Sequence, residues 1–260
     1  MFRSFVNAAP LAGLVAVPLF GLAIGSFLNV VIARLPERRS LWQPGSACPG
    51  CGAAIAWYDN VPVLSFLMLR GRCRACGMAI SWRYPLVELL TGAAFLSAYI
   101  AFGLTGRFFT AVLLLSALIA ITAIDLRLQL IPDAITLPGI LVGVLANLGT
   151  GATPWLDSVV GALVGGGVFF VIILVQPAGM GGGDMKLGAM LGAFLGWEVL
   201  LFSLFVAVLV GGVLAGVLLA TGLRGRKDPV PFGPFLALGG AIGLFWGERV
   251  VAWYVSGFGG

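Results

Sequence analysis

Two aspartates stand where carboxylates are rare. Asp125 closes the apolar run 113–124 in the string AIDLRLQLIPD, and Asp184 opens another in GMGGGDMKLGAMLGAF. An ionisable group at such a place is a functional hypothesis by default. Carboxylates from two spans at one depth can meet in a folded bundle, where they resist double ionisation, share a proton and titrate as a pair. Such a pair can hydrolyse a peptide bond. The ionised member takes a proton from water, while the protonated member polarises the carbonyl and then protonates the leaving amine. Each aspartate also has a plainer use. Asp184, after a Gly-rich turn, suits a helix N-cap, and Asp125 suits a helix-end charge paired with Arg127 or Lys186. Asp133, directly after Pro132, is a second candidate partner whose IPD setting favours capping the next span. Gly181, Gly182 and Gly183 give the backbone freedom for a second chain to lie alongside as an extended strand; the alternative is a flexible turn.

Other chemistry is excluded outright. The chain has no histidine, so a Ser-His-Asp triad, a Cys-His dyad and a His-Glu zinc protease are all ruled out. The four cysteines form two CxxC pairs, Cys48/Cys51 and Cys73/Cys76, with 21 residues between the pairs and a glycine after each. Four thiolates at this spacing favour structural zinc in a ribbon-like fold. A redox dithiol and two disulfides are the competing readings. A polar segment of about 50 residues with few aliphatics needs such a staple, because it cannot bury a core of its own.

The elements that must position these residues are membrane spans. Hydrophobic residues make up 60% of the chain and charged residues 10%, against about 25% charged in soluble domains. Lipid is therefore the solvent, and the 39 glycines fit helices that approach closely within it. The sequence predicts an all-α polytopic membrane protein of about eight transmembrane helices, with a small cytoplasmic zinc-ribbon-like cysteine domain between the first and second. The predicted organisation is a first helix within 1–33, the cysteine domain at 34–84 and a seven-helix domain at 85–260. The first span is read as uncleaved at about 11–33. The others fall near 86–104, 108–125, 134–149, 157–175, 186–197, 199–222 and 232–255. The sixth of these seven, 199–222, follows a short, Gly-rich segment at 186–197 that suits a tilted, broken or buried helix. Basic residues set the orientation. Arg34, Arg38, Arg39, Arg70, Arg72, Arg74 and Arg83 lie in the cysteine segment, and Arg127, Lys186, Arg224, Arg226 and Lys227 lie in loops of the same side. The opposite loops hold only Arg107. The positive-inside rule puts the cysteine segment, Asp125 and Asp184 on the cytoplasmic side and both termini outside. Basic residues that flank spans in this way do not form a nucleic-acid face.

Several strings together resemble one family. GSFLNVVIARLP (25–36), the cysteine-bearing stretch CPGCGAAIAWYDNVPVLSFLMLRGRCRACGMAISWRYPLVELLTG (48–92), AIDLRLQLIPD (123–133) and GMGGGDMK (179–186) occur in the order found in bacterial type IV prepilin peptidases. The resemblance implies an intramembrane aspartic endopeptidase of the inner membrane, with Asp125 and Asp184 as the catalytic pair at the cytoplasmic face. It implies prepilin and pseudopilin precursors of type IV pili and type II secretion as substrates, cut after a leader-ending glycine. It also implies methylation of the new N-terminal residue, usually phenylalanine, with S-adenosylmethionine as donor. No donor-binding residue is assigned, since no methyltransferase glycine loop follows a strand in this chain. Asp133, Gly182, Gly183 and Lys186 are expected to support substrate or site, and Glu88 in PLVELL is expected to help hold a cationic amine. The implied partners are these precursors and the lipid bilayer. The sequence allows a homodimer without specifying one.

Two other readings compete. A transporter or proton relay would use the same aspartates, but these lie at one face rather than the midplane, and no inverted repeat is present. A membrane thiol oxidoreductase would need its cysteines on the oxidising side, whereas charge places them inside.

Overall fold

A backbone in lipid must close its hydrogen bonds within itself, and helices do this segment by segment. The computed structural model describes residues 11–176, 180–222 and 230–258. Arg224, Arg226 and Lys227, which helped set the orientation, lie outside the described residues, as does Gly179 of the glycine run. In chain order the helices are α1 (Leu11–Arg34), the single-turn α2 (Leu64–Met68), α3 (Arg83–Phe102), α4 (Gly106–Leu128), α5 (Asp133–Thr150), α6 (Trp155–Val175), α7 (Gly182–Leu195), α8 (Trp197–Ala220), α9 (Gly233–Ile242) and α10 (Glu248–Phe258). A π-helical turn, Gly243–Gly247, joins α9 to α10.

About eight spans are expected from the sequence. Among the described residues, seven helices are long and apolar enough to cross a membrane: α1, α3, α4, α5, α6, α8 and the continuous Gly233–Gly257. The remaining hydrophobic segment forms α7, which has 14 residues. At 1.5 Å per residue it measures roughly 21 Å, short of the roughly 30 Å hydrocarbon core. The chain is a multi-pass membrane protein, and its exposed Leu163, Val175 and Phe205 are what a lipid-facing surface requires.

Contacts divide the chain into two units, residues 1–108 and 109–260. In the first, α1 packs along α3. Gly21 and Gly25, one turn apart on α1, allow it: a Cβ on Gly25 would stand 2.6 Å from the Glu88 backbone. The cysteine segment between these helices contains only the short 3-10 helix Trp57–Asn60, α2 and two isolated bridges, Ala47 to Ala54 and Arg72 to Ala79.

In the second unit α7 is the centre. It packs against α5, α6, α8 and α9, and from Leu187 to Leu195 every residue but Ala189 is buried. Its closest neighbour is α6, where two small-residue pairs face each other, Gly161 against Gly192 and Gly165 against Gly188. A Cβ on either residue of a pair would overlap the carbonyl of the other. Backbone cannot rotate aside as a side chain can. Gly192→Ala is therefore expected to lower stability by about 2 kcal/mol or more, read as unfolding of the purified protein in detergent. Unchanged stability would show that α6 and α7 separate freely.

A helix that ends early leaves orphan carbonyls. Asn147 of α5 meets two of those of α7: its Nδ2 donates to the Ala193 and Phe194 carbonyls, both at 3.0 Å, and to the Ser158 Oγ at 2.8 Å. Asn147 is 1% exposed. Gly196, with φ +77°, then turns the chain directly into α8, a conformation that glycine adopts without strain.

Candidate active site and cysteine centre

Asp125 lies in the last turn of α4 and is 4% exposed. Its Oδ2 accepts a hydrogen bond of 3.1 Å from the backbone N–H of Gly233, at the start of α9. Asp184 is the third residue of α7. The sequence suggests an N-cap for it, but Gly181 occupies that position, and Asp184 Oδ2 reaches back to accept the Gly181 N–H at 3.3 Å. A third-position acid closing onto the cap N–H is one half of a capping box. The two aspartates are close enough for the charge of Asp125 to act on Asp184. Both carboxylates are thus oriented by backbone donors, and neither is neutralised by a cation among the described residues.

Lys186, one of two cations that a helix-end role would pair with Asp125, pairs with Asp133 instead, at 2.6 Å. That contact ties the first residue of α5 to the first turn of α7. It is half-exposed, so its contribution is modest. Ile131 fills the space the aspartates leave. It is buried, and it touches the positions where side chains on Gly183 and Gly233 would stand, 2.9 Å and 3.3 Å from their added Cβ atoms.

Gly182 and Gly183 therefore differ. A Cβ on Gly182 would meet nothing within 4 Å, while one on Gly183 would press on Ile131. Gly183→Ala is expected to lower stability by roughly 1–3 kcal/mol through overpacking. Gly182→Ala is expected to leave stability unchanged or slightly raised, as glycine is a poor helix former. If a substrate strand lies against Gly182, the same change raises KM. Thermal unfolding and peptide-cleavage kinetics on the two variants check both statements.

In the first unit all four cysteine sulfurs lie within 4.8 Å of one another. Two like turns bring them there. In each, the first cysteine N–H bonds five residues ahead, Cys48 to the Ala53 carbonyl at 2.9 Å and Cys73 to the Met78 carbonyl at 2.8 Å. Gly52 and Gly77 complete the turns at φ +72° and +73°, values that disfavour a side chain. The Cys48 and Cys76 sulfurs are 3.8 Å apart. Tetrahedral Zn–S bonds of about 2.3 Å place sulfurs about 3.8 Å apart, so the set fits such an ion. The electrostatics agree. The backbone N–H groups of Cys51 and Gly50 bring the Cys48 thiol down to about 6, against burial. Cys76, despite the Met78 backbone group that favours its thiolate, is pushed up to about 11 by the Cys51 sulfur, burial and the Cys73 and Cys48 sulfurs. The Cys48 thiolate thus forms readily, while Cys76 holds its proton until a cation takes its place.

Arg74, between the paired cysteines, forks onto Asp59 at 2.8 and 2.6 Å and holds that carboxyl below its usual range. Glu88 of α3 is buried, and its Oε2 accepts the Val63 N–H at 2.8 Å with Ser26 beside it. Val63 has φ +59°, unusual for a β-branched residue and kept only where the surroundings demand it. Glu88 thus fastens onto α3 the turn that precedes α2, between the two cysteine pairs.

Sequence reasoning missed Gly233, Ile131 and Asn147. The string PFGP at 231–234 reads as a breaker before the last span. Its usable signal is a glycine followed by proline at a helix start.

The description "Bacterial Peptidase A24 N-terminal domain" matches residues 19–102, and "Type IV leader peptidase family" matches residues 112–216. The chain is 43% identical over 270 residues to a prepilin leader peptidase/N-methyltransferase of Aeromonas salmonicida, covering 92% of each chain. It is 39% identical over 282 residues to a protein of the same name from Pseudomonas aeruginosa, covering 97% of each. A Myxococcus xanthus protein of that name is 46% identical over 213 residues, 80% of this chain and 64% of its own. No solved structure matches.

Proposed function

The chain belongs to the type IV leader peptidase family, and we propose that it cleaves the leader from prepilins and pseudopilins with Asp125 and Asp184 and then N-methylates the new N-terminal residue. The observation that carries the catalytic assignment is geometric: each of the two carboxylates is oriented by one backbone N–H, and Ile131 packs against the glycine beside each. The ionised carboxylate takes a proton as water adds to the scissile carbonyl carbon. The protonated one gives its proton to the carbonyl oxygen; the proton taken from water then passes from the first carboxyl to the leaving nitrogen as the C–N bond breaks, and the second carboxylate recovers a proton from the gem-diol. The charge pattern supports an active site at the cytoplasmic face of the inner membrane, where a precursor's basic leader meets its apolar helix. Gly182 and Gly183 lie along the substrate path, while Asp133, Lys186 and Glu88 support the scaffold.

Cys48, Cys51, Cys73 and Cys76 would hold a structural zinc ion, supplying a cross-link rather than chemistry. S-adenosylmethionine is the methyl donor that the relatives' name entails, its sulfonium methyl passing to the free amine. No residue of the chain is assigned to it. Incubating the purified protein with a prepilin peptide, with and without S-adenosylmethionine, tests the whole reading. The cut product should gain one methyl group only with the donor. An uncut peptide would overturn the peptidase assignment, and a cut but unmethylated one the transferase assignment.

A further inference from the structure

The first amides of a helix have no partner inside it. In α9 that of Gly233 is directed at Asp125, a residue 108 positions earlier in the chain, and the bond is buried. Among the described residues it is the one hydrogen-bond donor to that carboxylate. The fit tolerates no side chain: a Cβ on Gly233 would stand 2.5 Å from Asp125 Oδ2 and 3.3 Å from Ile131 Cδ1. Ile131 in turn meets Gly183, the neighbour of Asp184. Phe232, the residue before Gly233, makes aromatic contacts with Phe169 and Phe235, both at 6.3 Å. A backbone donor on one oxygen restricts how a buried carboxylate can turn, and among the described residues the other oxygen receives no donor. The positive end of α9 also favours negative charge at that point.

We propose that Gly233 is a positioning residue for peptide cleavage: its N–H sets the orientation of Asp125 toward Asp184, and its lack of a side chain permits that approach. The proposal rests on Asp125 being catalytic. Displacing a reacting group by an ångström costs up to about 100-fold in rate. In the full-length protein, Gly233→Ala is therefore expected to lower kcat for a prepilin peptide by about 10- to 100-fold, with KM within about twofold because substrate binding does not use this bond. A kcat within about twofold of wild type, or a KM rise that accounts for the loss, overturns the proposal. Hydrogen exchange supplies a second measurement in case Gly233→Ala does not fold. The Gly233 amide has no helical partner, so its protection reports on Asp125 alone. It should exchange at least about tenfold faster in Asp125→Ala than in wild type, with α6 amides unchanged; equal rates overturn the proposal. The premise fails separately, if Asp125→Asn still cuts. An inactive Asp125→Asn beside a fully active Gly233→Ala removes only the role of Gly233.

Discussion

Asp125→Asn and Asp184→Asn will each abolish leader cleavage, by at least about 100- to 10,000-fold in kcat, the range for loss of a general acid or base. Asparagine keeps the shape and the acceptor oxygen of aspartate. The Gly233 N–H to residue 125 and the Gly181 N–H to residue 184 therefore survive, and the variants should unfold at the wild-type temperature within a few degrees. Only the ability to exchange a proton is removed. Because the carboxylates act as one unit, the double variant should be no slower than the worse single one, as catalytic groups that work together are strongly non-additive. Methylation of a peptide already cut should persist in all three. Measured kcat values for the three proteins decide the matter. Retained cleavage in either single variant returns its carboxylate to a structural role, and multiplicative losses in the double would mean that the two act independently.

Loss of the metal will unfold the cysteine segment and leave the second unit intact. Between residues 34 and 82 the buried hydrophobic side chains are Cys48 and Phe66, whereas Trp42, Trp57, Leu67, Met68 and Trp82 are all more than half exposed. A segment so poor in core has little besides the Arg74–Asp59 fork, the Glu88 anchor and its thiolates to hold it. Structural zinc contributes an apparent 10–16 kcal/mol in small zinc domains, far above anything else available here. The purified protein should carry about one zinc per chain, and Cys73→Ser should carry almost none. In that variant, amides from 46 to 80 should lose exchange protection while those of α7 keep theirs. Metal analysis and hydrogen exchange read both. A zinc-free wild type with intact protection, or disulfides detected by mass, would replace the metal reading with a redox or covalent one.

Features set by local spacing are legible in the sequence. Each predicted hydrophobic segment coincides with a helix within a few residues, because a backbone in lipid must form helix wherever the apolar run is long enough. The short, Gly-rich segment 186–197 suits a tilted, broken or buried helix, and α7 is buried. The CxxC spacing anticipated a four-sulfur cluster, since each knuckle is a local turn and a glycine follows each. The abundance of glycine anticipated close helix contacts but not which ones; that Gly161 meets Gly192 depends on the rotation of two helices about their axes.

The solvent, the spans, the sulfur cluster and the residue types available for catalysis all follow from composition and short-range spacing. The tertiary structure alone decided the partners. Lys186 chose Asp133 over Asp125, Asp184 became a third-position acid rather than a cap, Asn147 closed the end of α7, and a backbone N–H 108 residues away came to hold Asp125. These contacts join segments distant in the chain, and a backbone amide looks the same at every residue of a sequence until folding aims it at something.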